Sequence, residues 1–230
     1  MVADIENAGG TAVARLADVT DAADMQSLAD FTVDAYGRID VLVNNAGLML
    51  FSYRKDLALD DWNRMLDVNI RGYLTGVHAV LPVMLRQKSG HILNMDSVAG
   101  HQVGAGAGVY SATKFFVQAM TESMRKELSV HAGIKASTIS PGVIDTGWAD
   151  QVTDPAGRQA AQELNAMAIA PSPSPTPSST HSINPPTSQS TTWSSPPPAR
   201  TGRNWALIRA CVANGLQRAR HHTSRLPRPS

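Results

Sequence analysis

The chain of 230 residues is poor in several residue types that would place it in a particular class of protein. Its one cysteine, Cys211, excludes a disulfide framework, and no Cys/His cluster has the spacing of a zinc site, so we expect no bound metal. No run approaches the roughly 18 apolar residues that a membrane span requires. Asp4 and Glu6 interrupt the N-terminus before any apolar stretch of a signal peptide. We therefore expect a cytoplasmic protein without a membrane partner.

Acidic residues are missing from the last part of the chain, since all 19 lie at or before Glu163. Residues 1–163 carry a formal charge of −6, whereas residues 164–230 carry +7, all of it from arginine. The stretch 171–198 holds 9 of the 14 prolines, and this composition, rich also in serine and threonine, cannot bury a core. The sequence therefore predicts one folded domain over residues 1–168 and a disordered, low-complexity tail over residues 169–230.

The folded part alternates between strand and helix patterns. Strands are predicted at Thr11–Leu16, Ile39–Val43, His91–Met95 and Lys135–Ile139, and helices over residues 22–36, 60–87, 110–131 and 146–168. This alternation is typical of an α/β protein with a Rossmann-like, doubly wound parallel sheet covered by helices on both faces. Ligands of such sheets bind beyond the carboxyl ends of the strands. Four polar or glycine-containing segments follow predicted strands: Asp18, Asn44–Gly47, Asp96–Ser97 and Pro141–Gly142.

Tyr110 and Lys114 stand four residues apart at the start of a predicted helix, so they share one helix face. A free tyrosine, with a pKa of about 10, is a poor acid–base group at neutral pH. A nearby ammonium favours the phenolate, and so does the positive end of a helix. The pair is therefore a candidate general acid–base, although helices also carry this spacing by chance.

Two further polar residues lie where such a site could use them. Ser97 follows the strand His91–Met95, and its hydroxyl either hydrogen-bonds a substrate oxygen or caps a loop. Asn69 lies inside a predicted helix, where asparagine is mildly unfavourable. It either kinks the helix or turns a polar group into the site. The glycine-rich loop 101–109 lacks the GxxxxGK[ST] pattern of a phosphate-binding loop.

The ordered set of these residues resembles the short-chain dehydrogenase/reductase family over about residues 1–168. Asn69, Ser97, Tyr110 and Lys114 match the family's catalytic tetrad in order and spacing. The segment 44–47 reads NNAG, as in the family. The cofactor-binding positions that the resemblance implies are Asp18 and Val19 at the adenine, Asn45, Ala46 and Gly47, Tyr110 and Lys114, and Pro141, Gly142, Ile144 and Thr146 beside the nicotinamide.

The resemblance implies a hydride transfer between NAD or NADP, with NADP slightly favoured, and a small-molecule carbonyl or secondary alcohol. Tyr110 would give or take the proton, and Lys114 would lower the pKa of Tyr110. Ser97 would orient the substrate oxygen, and Asn69 would hold a water of the proton relay. The long helices that begin near residues 69 and 110 form subunit interfaces in the family, which implies a homodimer or homotetramer.

Two features depart from the family's pattern. The TGxxxGxG turn that approaches the cofactor pyrophosphate is absent, so the first βαβ half-unit is expected to be missing and a strand edge to be exposed. Asp96 stands where the family often has serine, and we interpret it as an acceptor of backbone N–H bonds in the turn. His101 is interpreted as a surface residue rather than a ligand. The alternative to an active enzyme is a catalytically impaired remnant, or a non-catalytic subunit that associates with intact relatives.

The tail admits two further interpretations. An Arg-rich tail could bind nucleic acid, but we expect no nucleic-acid partner. The other interpretation is a change of reading frame near Ala170. Back-translation of residues 171–195 in a shifted frame permits a string that resembles the family's last helix and strand. Arginine without lysine is also typical of an off-frame, GC-rich gene.

Overall fold

A computed structural model describes residues 2–129 and 131–169 of the chain, together with the backbone of residues 207–210. The predicted disorder of the tail falls on residues 170–206 and 211–230, which lie outside the described residues. Of the predicted tail, Ile169 and residues 207–210 are described, and Leu207–Ala210 forms a strand.

The described part of the chain alternates between helices and short parallel strands. The helices are α1 Val2–Asn7, α2 Ala22–Tyr36, α3 Leu59–Leu66, α4 Gly72–Gln87, α5 Gly108–Leu128 and α6 Pro155–Asn165. The strands are β1 Val41–Asn44, β2 Gly90–Met95, β3 Ile134–Ile139 and β4 Leu207–Ala210. By the criterion of length and apolar character, none of the helices within these described residues is able to span a membrane.

The four strands form one sheet in the order β3-β2-β1-β4, and all neighbouring pairs are parallel. Val41 of β1 is in register with His91 of β2, and Gly90 of β2 is in register with Ile134 of β3. Strands that follow helices in sequence and pair in parallel confirm the predicted α/β, Rossmann-like class.

The free side of β1 is occupied by the C-terminal strand β4. Val41 is in register with Leu207, and Asn44 with Ala210. The sequence predicted an exposed strand edge in the absence of a family-type first strand. In the described part of the chain, β4 pairs with β1 along this edge. The backbone N–H and C=O groups of β1 on that side are therefore hydrogen-bonded to β4.

The prediction of a strand at Thr11–Leu16 is wrong, because residues 11–18 form no strand in the structure. Apolar alternation alone does not make a strand, since a ladder also needs a neighbouring backbone. No described strand of the sheet pairs with this segment. Val19, the residue that follows, is nevertheless buried in the core.

The long helix predicted over residues 60–87 consists of three pieces. A π-helical segment, Asp67–Arg71, separates α3 from α4. A single π-helical turn widens the backbone and changes the direction in which its side chains point, and such turns are frequent at functional sites. Asn69 lies in the middle of this segment.

The helix predicted over residues 146–168 is also divided. A 3₁₀ turn covers Trp148–Gln151, and α6 begins at Pro155. The carboxylate of Asp154 caps α6 by accepting the Gly157 N–H at 2.5 Å. Proline at the first helical position lacks only an N–H that would have no partner there.

The core lies around the centre of the sheet. Leu42, Ile92 and Ile134, one from each of the first three strands, are 0% exposed. Side chains of the covering helices complete this cluster, among them Met25 and Ala29 of α2, Val80 and Met84 of α4, and Val117 and Met124 of α5.

A line of buried polar groups crosses this core. The Asn44 amide donates to the Asn94 side-chain oxygen at 3.1 Å, and the Asn94 amide donates to Thr121 Oγ1 at 2.9 Å. The hydroxyl of Tyr73 lies 3.0 Å from the same Thr121 oxygen. Gly76 of α4 packs against the start of this line, since a Cβ there would lie 2.5 Å from Asn44 Oδ1.

We expect Gly76→Ala to destabilise the protein although alanine is the better helix former. The new methyl group would displace Asn44, whose amide is bonded and whose surroundings are close-packed. Overpacking should outweigh the gain in helix propensity and leave a net loss of about 1–2 kcal/mol in the free energy of unfolding. Urea unfolding of the variant measures this loss.

Gly104→Ala is the control, because a Cβ at Gly104 meets nothing within 4 Å. Its unfolding midpoint should stay close to that of the wild type. A Gly76→Ala variant with an unchanged or higher midpoint would show that α4 does not pack this closely on Asn44.

Candidate active site

Asn69 is buried at the end of the sheet where β1 stops, with 3% of its surface exposed. Its Oδ1 accepts the Leu48 N–H at 2.8 Å, and its Nδ2 donates to the Leu48 carbonyl at 2.8 Å. Nδ2 also donates to Thr113 Oγ1 of α5 at 3.0 Å. Asn69 therefore lies in a helix irregularity, as one of its two interpretations predicts, and its amide joins the loop after β1 to α5.

Lys114 extends from α5 toward the end of β2 and is 6% exposed. Its Nζ donates to the Met95 carbonyl at 2.7 Å. Gly47 lies between this ammonium and Asn69. A Cβ on Gly47 would lie 3.9 Å from Lys114 Nζ and 3.5 Å from Asn69 Oδ1. The absence of a side chain at Gly47 thus leaves the space in front of both polar groups open.

Tyr110 lies one helical turn before Lys114, and Lys114 Nζ is 5.7 Å from the centre of the tyrosine ring. The Ser97 side chain hydrogen-bonds to the Tyr110 hydroxyl. Ser97 Oγ also accepts the Ala99 N–H at 3.2 Å, which caps the 3₁₀ turn Val98–Gly100. Ser97 therefore caps a turn, as one of its two interpretations predicts, and it also contacts Tyr110.

Burial controls the titration of both groups. It raises the pKa of the Tyr110 hydroxyl, and the negative charge of Asp96 acts in the same direction, whereas the Ser97 hydrogen bond opposes it. Burial lowers the pKa of Lys114 to about 8, and Asp96 opposes this change. The net shift of the Tyr110 pKa is upward in this structure, because desolvation outweighs the hydrogen bond.

The turn after β3 lies beside Ser97. The Pro141 carbonyl accepts the Val98 N–H at 3.0 Å, and the Asp96 N–H donates to the Ile139 carbonyl at 2.7 Å. Gly142 follows, and a Cβ there would meet nothing within 4 Å. The structure therefore brings Pro141 to the turn that follows Ser97 and leaves free space at Gly142.

The other predicted cofactor contacts have neighbours of their own. Asp18 is exposed, and its carboxylate accepts the backbone N–H and the hydroxyl of Thr20, each at 2.8 Å. Val19 is buried, and its carbonyl accepts the Thr75 hydroxyl of α4. Asn45 is partly exposed, Ala46 packs against the core, Ile144 forms a bridge with Ile169, and Thr146 is exposed.

Sequence reasoning missed the environment of Asp96. Its side chain accepts from other side chains, the Gln118 amide at 2.9 Å and the Ser140 hydroxyl at 2.8 Å, rather than from the backbone of its own turn. His101 Nε2 lies 3.3 Å from the same Asp96 oxygen, so this half-exposed ring also has a defined partner. The spacing of Lys114 and Gln118, one helical turn apart on α5, was the signal that could have indicated this contact.

The sequence model of the short chain dehydrogenase family matches residues 1–157, and this chain belongs to that family. An uncharacterized oxidoreductase of Staphylococcus saprophyticus is 46% identical over 155 residues, which cover 67% of this chain and 63% of that protein. An uncharacterized oxidoreductase of Staphylococcus aureus is 42% identical over 129 residues, 56% of this chain and 55% of that protein.

Solved structures of the same family are similar to this fold. A short chain dehydrogenase/reductase from Burkholderia phymatum, in complex with NAD, has a TM-score of 0.66 and 30% identity, and the match covers 72% of this chain and 64% of that one. A gluconate 5-dehydrogenase from Burkholderia cenocepacia, in complex with NADP and tartrate, has a TM-score of 0.62 and 29% identity. This match covers 67% of this chain and 61% of that one. The chain thus spans somewhat less than two thirds of the length of these relatives.

We expect Lys114→Met to stabilise the protein at neutral pH, because it removes a buried cation. Folding lowers the pKa of Lys114 from its ordinary value of 10.5 to about 8, so the unfolded chain binds this proton more tightly. Wild-type stability should therefore rise with pH between these two values. The shift corresponds to about 3 kcal/mol, which is the upper limit for the advantage of the variant near pH 7.

Urea unfolding of both proteins across this pH range measures the advantage, which should shrink toward zero at the alkaline end. Lys126→Met is the control, since Lys126 is 69% exposed on the same helix. An advantage that is absent at neutral pH, or independent of pH, would contradict the burial of a charged Lys114.

Proposed function

We propose that this chain is a nicotinamide-dependent oxidoreductase that transfers a hydride between the cofactor and a carbonyl or secondary alcohol, with Tyr110 as general acid–base. The observation that carries the proposal is the meeting of Tyr110 with Ser97 and Lys114 at the carboxyl end of β2. Ligands of parallel α/β sheets bind at this end of the strands. Asn69, tied to α5 through Thr113, completes the tetrad that the family resemblance implies.

Each residue of the tetrad has a role that its contacts support. A bound nicotinamide supplies or accepts the hydride. Tyr110 donates a proton to the carbonyl oxygen in reduction and takes it back in oxidation. Its raised pKa keeps the phenol protonated at neutral pH, which suits reduction. Ser97, already bonded to the Tyr110 hydroxyl, would orient the substrate oxygen toward the same proton.

Lys114 and Asn69 would act around the tyrosine. Lys114, whose pKa of about 8 leaves it mostly protonated at neutral pH, favours the phenolate that Tyr110 becomes after it gives up its proton. Nζ donates to Met95 and retains further N–H groups for a ribose hydroxyl. Asn69 would hold a water of the proton relay beside Lys114.

The described residues fit the nicotinamide half of the cofactor. Open space in front of Gly47 and around Gly142 allows a ring and a ribose to approach the backbone closely. We propose that Asn45, Ala46 and Gly47 line one side of this space, with Pro141, Gly142, Ile144 and Thr146 on the other. Asp18 and Val19 would receive the adenine. One of the solved relatives is in complex with NAD and another with NADP, and we propose either cofactor here, with NADP slightly favoured by resemblance.

The sequence holds no TGxxxGxG turn for the pyrophosphate. Backbone N–H groups at a helix N-terminus are the usual partners of this group. We therefore expect weak binding of NADH and NADPH to this chain. A cofactor that binds without turnover would favour the alternative, a subunit that associates with intact relatives.

The substrate would be a small molecule that meets apolar side chains. Phe51 and Trp148 lie with their ring centres 6.1 Å apart, and Met49 packs against the same cluster. Assembly with further copies would use the long helices. Leu74 of α4 and Phe115 of α5 are 42% and 46% exposed, which is a high exposure for large apolar side chains. We propose a homodimer or homotetramer on this basis.

We expect Tyr110→Phe to abolish reduction of a panel of small ketones and aldehydes while cofactor binding survives. The variant keeps the ring but loses the proton-transferring hydroxyl, so the loss of rate should be at least about 100-fold. Consumption of NADH and NADPH measures turnover, and fluorescence titration measures binding.

Tyr36→Phe is the matched control, because Tyr36 is the last residue of α2 and lies outside the tetrad. It should retain wild-type turnover. If Tyr110→Phe turned over as fast as the wild type, the proposed role of Tyr110 would be excluded.

A further inference from the structure

Asp96 lies between two residues that hold the candidate acid–base pair. The Met95 carbonyl accepts a hydrogen bond from the Lys114 ammonium, and the Ser97 side chain hydrogen-bonds to the Tyr110 hydroxyl. The carboxylate of Asp96 itself is 0% exposed, so water cannot solvate its charge. A charge in this position needs protein partners, and their identity indicates what the carboxylate does.

The partners of Asp96 come from three other parts of the site. Oδ2 accepts the Gln118 amide of α5 and the Ser140 hydroxyl at the end of β3, and it lies 3.3 Å from His101 Nε2 in the glycine-rich loop. His101 Nε2 also lies 2.8 Å from Gln118 Nε2 and 3.2 Å from Ser140 Oγ. One carboxylate thus ties together the elements that carry Lys114, Pro141 and the loop leading into Tyr110.

Gly100 makes this approach possible. A Cβ on Gly100 would collide with Asp96 Oδ1 and lie 3.1 Å from both Gln118 Nε2 and Lys114 Cβ. The glycine therefore lets the carboxylate pack closely against the face of α5 that carries Lys114. Oδ1 itself is buried and has no hydrogen-bond partner among the described residues.

We propose that Asp96 is a positioning residue for the acid–base pair: its buried carboxylate fixes α5 to the end of β3 and to the loop of His101. It also places a negative charge behind Lys114. This inference rests on the proposed function and goes beyond it, since Asp96 is not one of the four tetrad residues.

The charge matters in addition to the hydrogen bonds. The titratable groups near Asp96 are His101 from the loop, Lys114 and Tyr110 from α5, and Tyr73 from α4, whereas the end of β3 contributes the neutral Ser140. Asp96 raises the pKa of Lys114 against the opposing effect of burial. A neutral residue of the same shape would keep part of the hydrogen bonding but lose this stabilisation of the ammonium.

The test is a titration of Lys114 in the wild type and in Asp96→Asn, by NMR of protein that carries carbon-13 at the lysine Cε. The chain has five lysines, and the Lys114 resonance is assigned by its loss in Lys114→Met. We expect Lys114 to titrate near 8 in the wild type and at lower pH in Asp96→Asn. A variant that merely loosened the site would admit water and move the titration to higher pH instead.

The second readout is turnover. Asp96→Asn should lower kcat by about 10- to 100-fold, because misplacement of a catalytic group by about 1 Å has this effect, while KM stays within about twofold. Asp40→Asn is the matched control. Asp40 is a buried carboxylate just before β1, at the opposite end of the strands, and its loss should leave the Lys114 titration unchanged.

The two proposals fail in different ways. If the wild type reduces no carbonyl compound, the proposed function fails, but the titration of Lys114 still tests Asp96. A titration in Asp96→Asn that is unchanged or moves to higher pH overturns the inference whatever the turnover. Should Asp96→Asn not fold, Asp96→Ser carries the same expectation with a smaller neutral side chain.

Discussion

The Lys114 ammonium is buried, and a buried ammonium must find partners within the protein because its desolvation is costly. The Met95 carbonyl at the end of β2 provides a direct hydrogen bond, and the neighbouring Asp96 provides the opposite charge. Both lie at the carboxyl end of the same strand. This interaction holds the Lys114 side chain at the end of β2, with its Nζ 5.7 Å from the centre of the Tyr110 ring.

The remaining parts of the site are arranged around that contact by ordinary backbone geometry. Parallel strands end at one edge of the sheet, so residues after β1, β2 and β3 meet although they are far apart in sequence. The π-helical segment directs Asn69 inward, where its amide bonds Leu48 and Thr113. Glycine at position 47 keeps the space before Lys114 open. The same edge of the sheet therefore carries two buried charged groups, Lys114 and Asp96, beside open space in front of Gly47.

Patterns of local origin were predicted well, and patterns that depend on neighbours were not. The helix over residues 22–36 has its cap and its terminal glycine in the sequence, and the structure places it at Ala22–Tyr36. Thr11–Leu16 has an equally good strand pattern but lacks a pairing partner in the described sheet. The upward shift of the Tyr110 pKa was also out of reach of the sequence, because spacing reveals the nearby lysine but not the depth of burial.

The sequence by itself determined the parallel α/β class and the family, and it pointed to four candidate residues for a catalytic tetrad, because periodicity and ordered motifs are local properties of the chain. Only the tertiary structure decided that Asn69 bonds across to α5, that β4 pairs with β1, and that Asp96 faces Gln118, Ser140 and His101. These contacts join residues from different elements. They arise from packing, in which a buried polar group selects the partners that folding brings within reach.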